Sequence, residues 1–162
     1  MKLYVRNKII SLREGSVVTD DNGNHILKVK GKFFTFTRKK YICDLDGNVI
    51  YTVRNKFWRF IMPRSFIFDS NKKKIAKIKQ RMSIKSKYTS DLGELKIRIG
   101  HEKILSRMDI YINEQKVASY SRNYLFVDSF EIEYEDPSLA PLLTAIVICL
   151  DNMHDDLTNT DR

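Results

Sequence analysis

Apolar and polar residues alternate along much of the chain, and this pattern predicts short β-strands. Residues 27–30 read Leu-Lys-Val-Lys, residues 76–79 read Ala-Lys-Ile-Lys, and residues 95–99 read Leu-Lys-Ile-Arg-Ile. A period of two sends successive side chains to opposite faces of a strand. The pattern therefore predicts a sheet with one apolar face and one basic face.

A strand, a polar turn and a second strand recur along the chain, and each such unit predicts a β-hairpin. The four units are residues 17–31, 41–55, 65–80 and 109–121. Two of the turns contain Asn22-Gly23 and Asp46-Gly47, which are dipeptides that supply the positive φ of tight hairpin turns. Repeated hairpins at this spacing predict a meandering antiparallel sheet that is closed or nearly closed.

The most apolar segment, LAPLLTAIVICLD at residues 139–151, predicts a buried helix. Its twelve residues before Asp151 are fewer than the about 20 that a membrane span requires. A helix that is apolar all round belongs inside a protein. The β-branched run Ile146-Val147-Ile148 leaves a buried strand as the alternative, but the flanking Leu and Ala residues favour the helix.

The predicted core helix carries its apolar side chains at seven positions: Leu142, Leu143, Ala145, Ile146, Val147, Ile148 and Leu150. Asp151, Asp155 and Asp156 follow, and we expect them to be solvated where the helix ends, since carboxylates oppose the helix dipole there. The sheet and the helix together predict a mainly β protein, a closed antiparallel barrel around a hydrophobic C-terminal helix. We assign residues 1–156 to one domain and residues 157–162 to a polar tail.

The cysteines and the N-terminal sequence indicate a cytoplasmic protein. Cys43 and Cys149 stand far apart in apolar surroundings, which favours two buried free thiols over a disulfide. The first residues carry scattered charges and lack the uninterrupted apolar stretch of a signal peptide. We therefore expect a cytoplasmic protein, one that could also attach peripherally to a membrane.

Charge is distributed unevenly along the chain, whose net charge is +9. Residues 1–108 hold 26 Lys and Arg against 9 Asp and Glu, whereas residues 109–162 hold 3 against 11. Residues 71–88 contain eight cations and no acid: Lys72, Lys73, Lys74, Lys77, Lys79, Arg81, Lys85 and Lys87. This basic segment is either a solvated strand that lysine keeps soluble or a face that binds anions.

A second basic segment, KFWRFIMPR at residues 56–64, interleaves aromatic side chains with cations. Such a segment is typical of a membrane-interface loop or a base-stacking surface. Alternation favours a barrel strand instead. One face would carry Phe57, Arg59 and Ile61, and the other Trp58, Phe60 and Met62.

Motifs for metal binding or catalysis are not recognisable in the sequence. DDNGN (20–24) and DLDGN (44–48) resemble parts of a calcium loop but lack its closing glutamate, so hairpin turns are favoured. His25, His101 and His154 do not have metal-ligand spacing, and no nucleophile or nucleotide-loop motif occurs. We expect no metal, no cofactor, no small-molecule substrate and no enzymatic activity, with the helix filling the barrel.

Four stretches of the sequence resemble the LURP-one-related, tubby C-terminal-like proteins, especially their short single-domain bacterial-type members. These stretches are LYVRNKIISLREGSVVTDDNGNHILKVKGKFFTF, YICDLDGNVIYTVRNKFW, FIMPRSFIF and VDSFEIEYEDPSLAPLLTAIVICLDN. The resemblance implies a barrel of about twelve strands around a hydrophobic C-terminal helix. It also implies that proteins of related fold include phosphoinositide-binding tubby domains and phospholipid scramblases.

We therefore expect a non-enzymatic module that binds anionic phospholipid headgroups or a membrane surface through its basic outer face. The alternative is a protein-interaction or nucleic-acid-binding scaffold that uses the same face. Nucleic acid is the less favoured partner because no zinc finger or aromatic RNP motif occurs. A protein partner is suggested by an acidic stretch that could pair with a neighbour's basic face or with the protein's own: Asp128, Glu131, Glu133, Glu135 and Asp136.

Overall fold

Twelve antiparallel strands form a closed barrel around a C-terminal helix, as the sequence predicted. The computed structural model describes residues 1–6, 16–31, 39–58, 61–80, 88–90, 95–100, 107–123 and 129–158. The strands are β1 (Lys2–Arg6), β2 (Ser16–Thr19), β3 (His25–Gly31), β4 (Lys40–Cys43), β5 (Val49–Trp58), β6 (Ile61–Phe68), β7 (Lys74–Gln80), β8 (Tyr88–Ser90), β9 (Ile97–Gly100), β10 (Arg107–Ile112), β11 (Gln115–Asn123) and β12 (Ser129–Tyr134). Each strand pairs with its neighbours in the chain, and β1 closes the barrel on β12.

All four predicted hairpins form, as β2–β3, β4–β5, β6–β7 and β10–β11. The first three share one five-residue turn that begins with an Asp. The Asp N–H donates to the carbonyl of the fifth residue, and the Asp carbonyl accepts the N–H of the fourth. The Asp20 carboxylate accepts the Asn24 N–H at 2.8 Å, and Asp44 and Asp69 accept the equivalent N–H at 2.8 Å. Side-chain hydrogen bonds from Asn24 and Asn48 lower the pKa of Asp20 and Asp44 respectively. The calcium-like sequences are therefore hairpin turns.

One position of this turn requires a left-handed backbone. Gly23 and Gly47 occupy it in the first two turns, with φ of 81° and 96°. Lys72 occupies the same place in the third turn, with φ of 64°. This conformation is strained for a residue with a Cβ.

The helix α1 (Ala140–Thr158) follows a 3₁₀ turn, Pro137–Leu139, and lies inside the barrel, with its backbone closest to β5 and β6. All seven apolar residues predicted for the core helix are buried, and five of them have at most 2% of their surface exposed. Barrel side chains such as Leu3, Ile67 and Ile132 pack into the same core cluster. The helix includes residues 157 and 158, and residues 159–162 lie outside the described part of the chain.

The expectation that Asp151 is solvated was wrong. Asp151 is 5% exposed, and its carboxylate lies 3.7 Å from the Lys40 ammonium on β4. Asn152 and Met153 are buried as well. The helix therefore continues inside the barrel past its apolar run, and Lys40 supplies the counter-charge that a buried carboxylate needs.

Residues 56–58 and 61–64 lie in barrel strands, as predicted, but in two strands rather than one. β5 ends at Trp58 and β6 begins at Ile61, and these two residues pair across the ladder. Residues 56–58 and 61–64 thus belong to two antiparallel strands. The alternation predicted for Arg59 and Phe60 falls on residues outside the described part of the chain.

Candidate anion-binding surface

The outer faces of β5, β6 and β7 form a surface that we call the basic wall. Among the side chains that the structure describes, its cations are Arg54 on β5, Arg64 on β6, and Lys74, Lys77 and Lys79 on β7. Alternation directs them outward, because the residues next to them in the chain are buried, namely Val53, Ser65, Ile75 and Ile78. No Asp or Glu occurs in these three strands.

Strand register brings these cations together. Arg54 pairs with Phe66, which pairs in turn with Lys77, and Arg64 pairs directly with Lys79. Residues opposite one another on antiparallel strands have Cβ atoms about 5 Å apart. Like charges on neighbouring strands repel one another, so these cations give the surface a positive potential that an anion would relieve.

Two aromatic rings lie between the cations. Phe66 and Phe68 point outward on β6, are partly buried, and have ring centroids 6.5 Å apart. The Lys74 ammonium lies 4.9 Å from the centroid of the Phe66 ring, within range of a cation–π contact. The wall thus combines cations with a small apolar centre.

The structure brings together part of the predicted basic segment. Lys74, Lys77 and Lys79 lie on the wall, and Lys72 and Lys73 are exposed in the turn at its edge. Arg81, Lys85 and Lys87 lie outside the described residues. Arg54 and Arg64 were missed as site residues because they are distant in sequence. Alternation after Ile50 places Arg54 on the basic face, but it carries no information about which strands are neighbours.

The opposite side of the barrel carries paired charges, and we call it the paired wall. It comprises Lys2, Arg107, Asp109, Lys116, Ser119, Glu131 and Glu133, on β1, β10, β11 and β12. The Lys2 ammonium lies 2.6 Å from Glu131 and 3.3 Å from Glu133, and Arg107 donates to Glu133. Hydrogen bonding to Arg107, supported by Lys2, holds the pKa of Glu133 below its ordinary value of 4.5.

A depression of about 610 Å³ lies over part of the paired wall, lined by both acids and bases. Its charged groups already bind one another, since Glu133 pairs with Lys2 and Arg107, and Lys116 lies 2.9 Å from Asp109. A charged ligand would have to break these ion pairs to enter. The acids predicted for a partner's basic face, Glu131 and Glu133, are thus bonded within the chain.

The described residues do not assemble a metal site or a reactive thiol. No group of three or more His, Cys, Asp or Glu within the described ranges could hold a metal ion. Cys43 and Cys149 are buried free thiols, and burial raises the pKa of Cys149 to about 12. A thiol with such a pKa remains protonated at neutral pH and is a poor nucleophile.

These features define a class of protein: a closed antiparallel barrel that contains its own C-terminal helix and presents a basic outer wall. The family model described as LURP-one-related matches residues 1–151, and the chain belongs to that family. An X-ray structure of a protein from Arabidopsis thaliana has the same fold. The two chains superpose with a TM-score of 0.61 at 20% sequence identity, covering 93% of this chain and 89% of the other.

Two further searches gave negative results, one among curated proteins and one for membrane-spanning helices. No curated protein matches the chain at a significant level. Over the described part of the chain, no helix combines the length and apolar character needed to cross a bilayer.

Proposed function

We propose that this protein is a non-enzymatic module that binds anionic phospholipid headgroups at a membrane surface through the basic wall. The observation that supports it is the convergence of Arg54, Arg64, Lys74, Lys77 and Lys79 on three adjacent strands without a single acid. The resemblance to tubby C-terminal-like proteins, which include phosphoinositide-binding domains, points the same way.

The dimensions of the wall suit a flat anionic surface. Adjacent strands lie about 4.8 Å apart, and alternate residues along a strand lie about 7 Å apart. The five cations therefore occupy a patch narrow enough to face a bilayer together, although a barrel is convex. Each cation near an anionic membrane contributes about 1 kcal/mol, and this attraction weakens beyond a Debye length of about 8 Å at physiological salt.

The aromatic centre adds a contact that salt does not screen. Phe66 and Phe68 are partly exposed on the wall, so lipid chains or glycerol groups between the headgroups could cover their rings. Burial of apolar surface contributes a free energy of about 25 cal/mol per Å², and this contribution does not rely on charge that salt would screen. Some binding should therefore persist at physiological salt.

The test is flotation of purified, nuclease-treated protein with vesicles of phosphatidylcholine alone or mixed with phosphatidylserine. The variant Arg54→Gln/Lys77→Gln removes two wall cations, and we expect it to bind the anionic vesicles about thirtyfold more weakly, corresponding to about 2 kcal/mol. Its matched control is Lys30→Gln/Lys96→Gln, which removes two exposed cations outside the wall, one on β3 and one directly before β9. The control should bind nearly as well as the unmodified protein.

Equal losses in the two variants would show that only net charge matters and would remove the wall from the proposal. Absence of binding to any vesicle would refute the lipid module. In that case titration with single-stranded RNA and DNA over a range of salt tests the nucleic-acid alternative, for which the affinity should fall steeply as salt rises.

A further inference from the structure

A row of outward-facing residues crosses β6 to β9 and extends the basic wall. Arg64 pairs with Lys79, Lys79 with Thr89, and Thr89 with Arg98. Residues opposite one another on antiparallel strands point to the same face. The row therefore places a threonine between a lysine and an arginine on the outside of the barrel.

Thr89 differs from Ser119, another outward-facing residue with a buried hydroxyl, because the Ser119 hydroxyl donates to Asp109 whereas the Thr89 hydroxyl does not bond to any described residue. Thr89 is 9% exposed, and its Oγ1 has no hydrogen-bond partner in the structure of the described residues. Buried polar groups in native proteins are nearly always hydrogen-bonded, so an unsatisfied one calls for an explanation. A ligand that accepts the O–H would supply it.

The neighbours of Thr89 determine which ligand suits it. Lys79 and Arg98 carry positive charge and lie opposite Thr89 on the two strands that flank it. Arg98 is exposed, with its guanidinium carbon 3.8 Å from the centroid of the Tyr111 ring, and binding a ligand at Thr89 would require it to turn from that ring. An ammonium, a guanidinium and a hydroxyl together match the oxygens of a tetrahedral oxyanion.

We propose that Thr89, Lys79 and Arg98 bind a phosphate group, with the Thr89 hydroxyl donating to one phosphate oxygen. The phosphate belongs either to a phosphomonoester lipid headgroup or to a free phosphate. This site deepens the proposed function and rests on it, because Lys79 also belongs to the basic wall. The two ideas make separable claims, since the wall requires only negative charge whereas this site requires phosphate.

The test uses Thr89→Val, which removes the hydroxyl but keeps the branched shape, together with Thr89→Ser, which keeps the hydroxyl. Binding of inorganic phosphate is measured by calorimetry. Vesicle binding is measured with phosphatidic acid, which carries a phosphomonoester, and with phosphatidylserine at matched surface charge. Thr89→Val should weaken binding to phosphate and to phosphatidic acid about tenfold. Thr89→Ser should bind as the unmodified protein does.

Thermal unfolding gives a readout that separates loss of binding from loss of structure. Without ligand, Thr89→Val should unfold at the same temperature as the unmodified protein or higher, because it removes a buried hydroxyl that has no partner. At the same phosphate concentration, the unfolding temperature should rise clearly less for Thr89→Val than for the unmodified protein, because a ligand that binds about tenfold more weakly stabilises the folded state less.

The outcomes distinguish this site from the proposed function. If Thr89→Val binds both vesicles and phosphate normally, the phosphate site is refuted while the basic wall stands. If phosphate binding depends on Thr89 but no vesicle binds, the site stands with a free phosphate as its ligand and the membrane function fails. If neither phosphate nor vesicles bind the unmodified protein, both proposals fail.

Discussion

The basic wall and the paired wall lie on opposite sides of one barrel and handle charge differently. β12 is six strands from β6 around the twelve-stranded barrel. On the paired wall, Glu131 and Glu133 bind Lys2 and Arg107 on neighbouring strands. On the basic wall, Arg64 and Lys79 lie opposite one another in strands that contain no acid. The same architecture therefore supports a neutralised surface and a strongly positive one.

This difference shows how a closed barrel separates surface chemistry from stability. Both walls cover the same core, which consists of inward-facing residues such as Ile67 and Ile132. The outward positions are free to vary as long as alternation is kept. Acids placed beside cations stabilise the fold modestly, whereas cations placed opposite one another on neighbouring strands cost a little stability and favour an anionic partner.

The largest expected effect is a loss of stability on the paired wall. Asp109 is 6% exposed, accepts the Ser119 O–H, and lies 2.9 Å from the Lys116 ammonium. Asp109→Ala leaves the buried Ser119 hydroxyl without its acceptor and should lower the free energy of unfolding by about 2 kcal/mol. Lys77→Gln on the basic wall should change it by no more than about 0.5 kcal/mol. Urea denaturation of both variants makes the comparison, and equal effects would contradict it.

A smaller effect concerns pH. The pKa of Glu133 is lowered in the folded protein, so its ion pairs stabilise the fold above about pH 4.5 and lose this contribution as the pH falls through the folded pKa. Because the Glu133 side chain is 37% exposed, the contribution should stay below about 1 kcal/mol. The stability difference between the unmodified protein and Glu133→Gln should therefore shrink below pH 4.5. Thermal unfolding across pH 3–7 measures it.

The matched comparison for this pH effect is Lys77→Gln. Lys77 lies on the opposite wall, away from the Glu133 ion pairs, so the difference between this variant and the unmodified protein should not depend on pH there. A pH-independent difference for Glu133→Gln would show that its ion pairs do not contribute to stability.

The smallest expected effect lies at the edge of the basic wall. Lys72 has a φ of 64° where the two equivalent turns have glycine. Lys72→Gly should relieve the strained backbone and raise the free energy of unfolding by about 0.5–1 kcal/mol. Lys72→Ala removes the same charge but keeps the Cβ, so it should not be stabilised. Chemical denaturation distinguishes the two, and a destabilised Lys72→Gly would contradict this account of the turn.

The same pair of variants tests why lysine occupies that position. Both should bind anionic vesicles slightly more weakly than the unmodified protein, because each removes one exposed cation. Such a result would indicate that the charge at Lys72 serves binding at the expense of turn stability.

The hairpins and the central helix could be predicted from the sequence because their signals are local. Asn22-Gly23 and Asp46-Gly47 define turns within a few residues. Alternation over residues 27–30 and 95–99 separates core positions from surface positions. An apolar run such as Leu142–Leu150 is buried whatever surrounds it, since it is apolar around its whole circumference.

Tertiary structure decided which residues make up each site, because these residues lie far apart along the chain. Arg54 and Lys77 lie near each other because β5 pairs with β6 and β6 pairs with β7 in particular registers. Thr89 lies opposite Arg98 because of the register between β8 and β9. Strand register between elements depends on bulges and on closure of the barrel, which no short segment encodes by itself.

The sequence by itself determined which residues alternate, where the chain turns and which segment must be buried, because these properties arise from interactions among close neighbours in the chain. Only the tertiary structure decided that the helix continues inside the barrel to Asp151, where Lys40 of a distant strand meets it. Only the tertiary structure left the Thr89 hydroxyl buried between two cations. Both features arise because the closed barrel fixes how far the helix extends into it and which strands are neighbours. These two properties determine which groups surround each polar side chain.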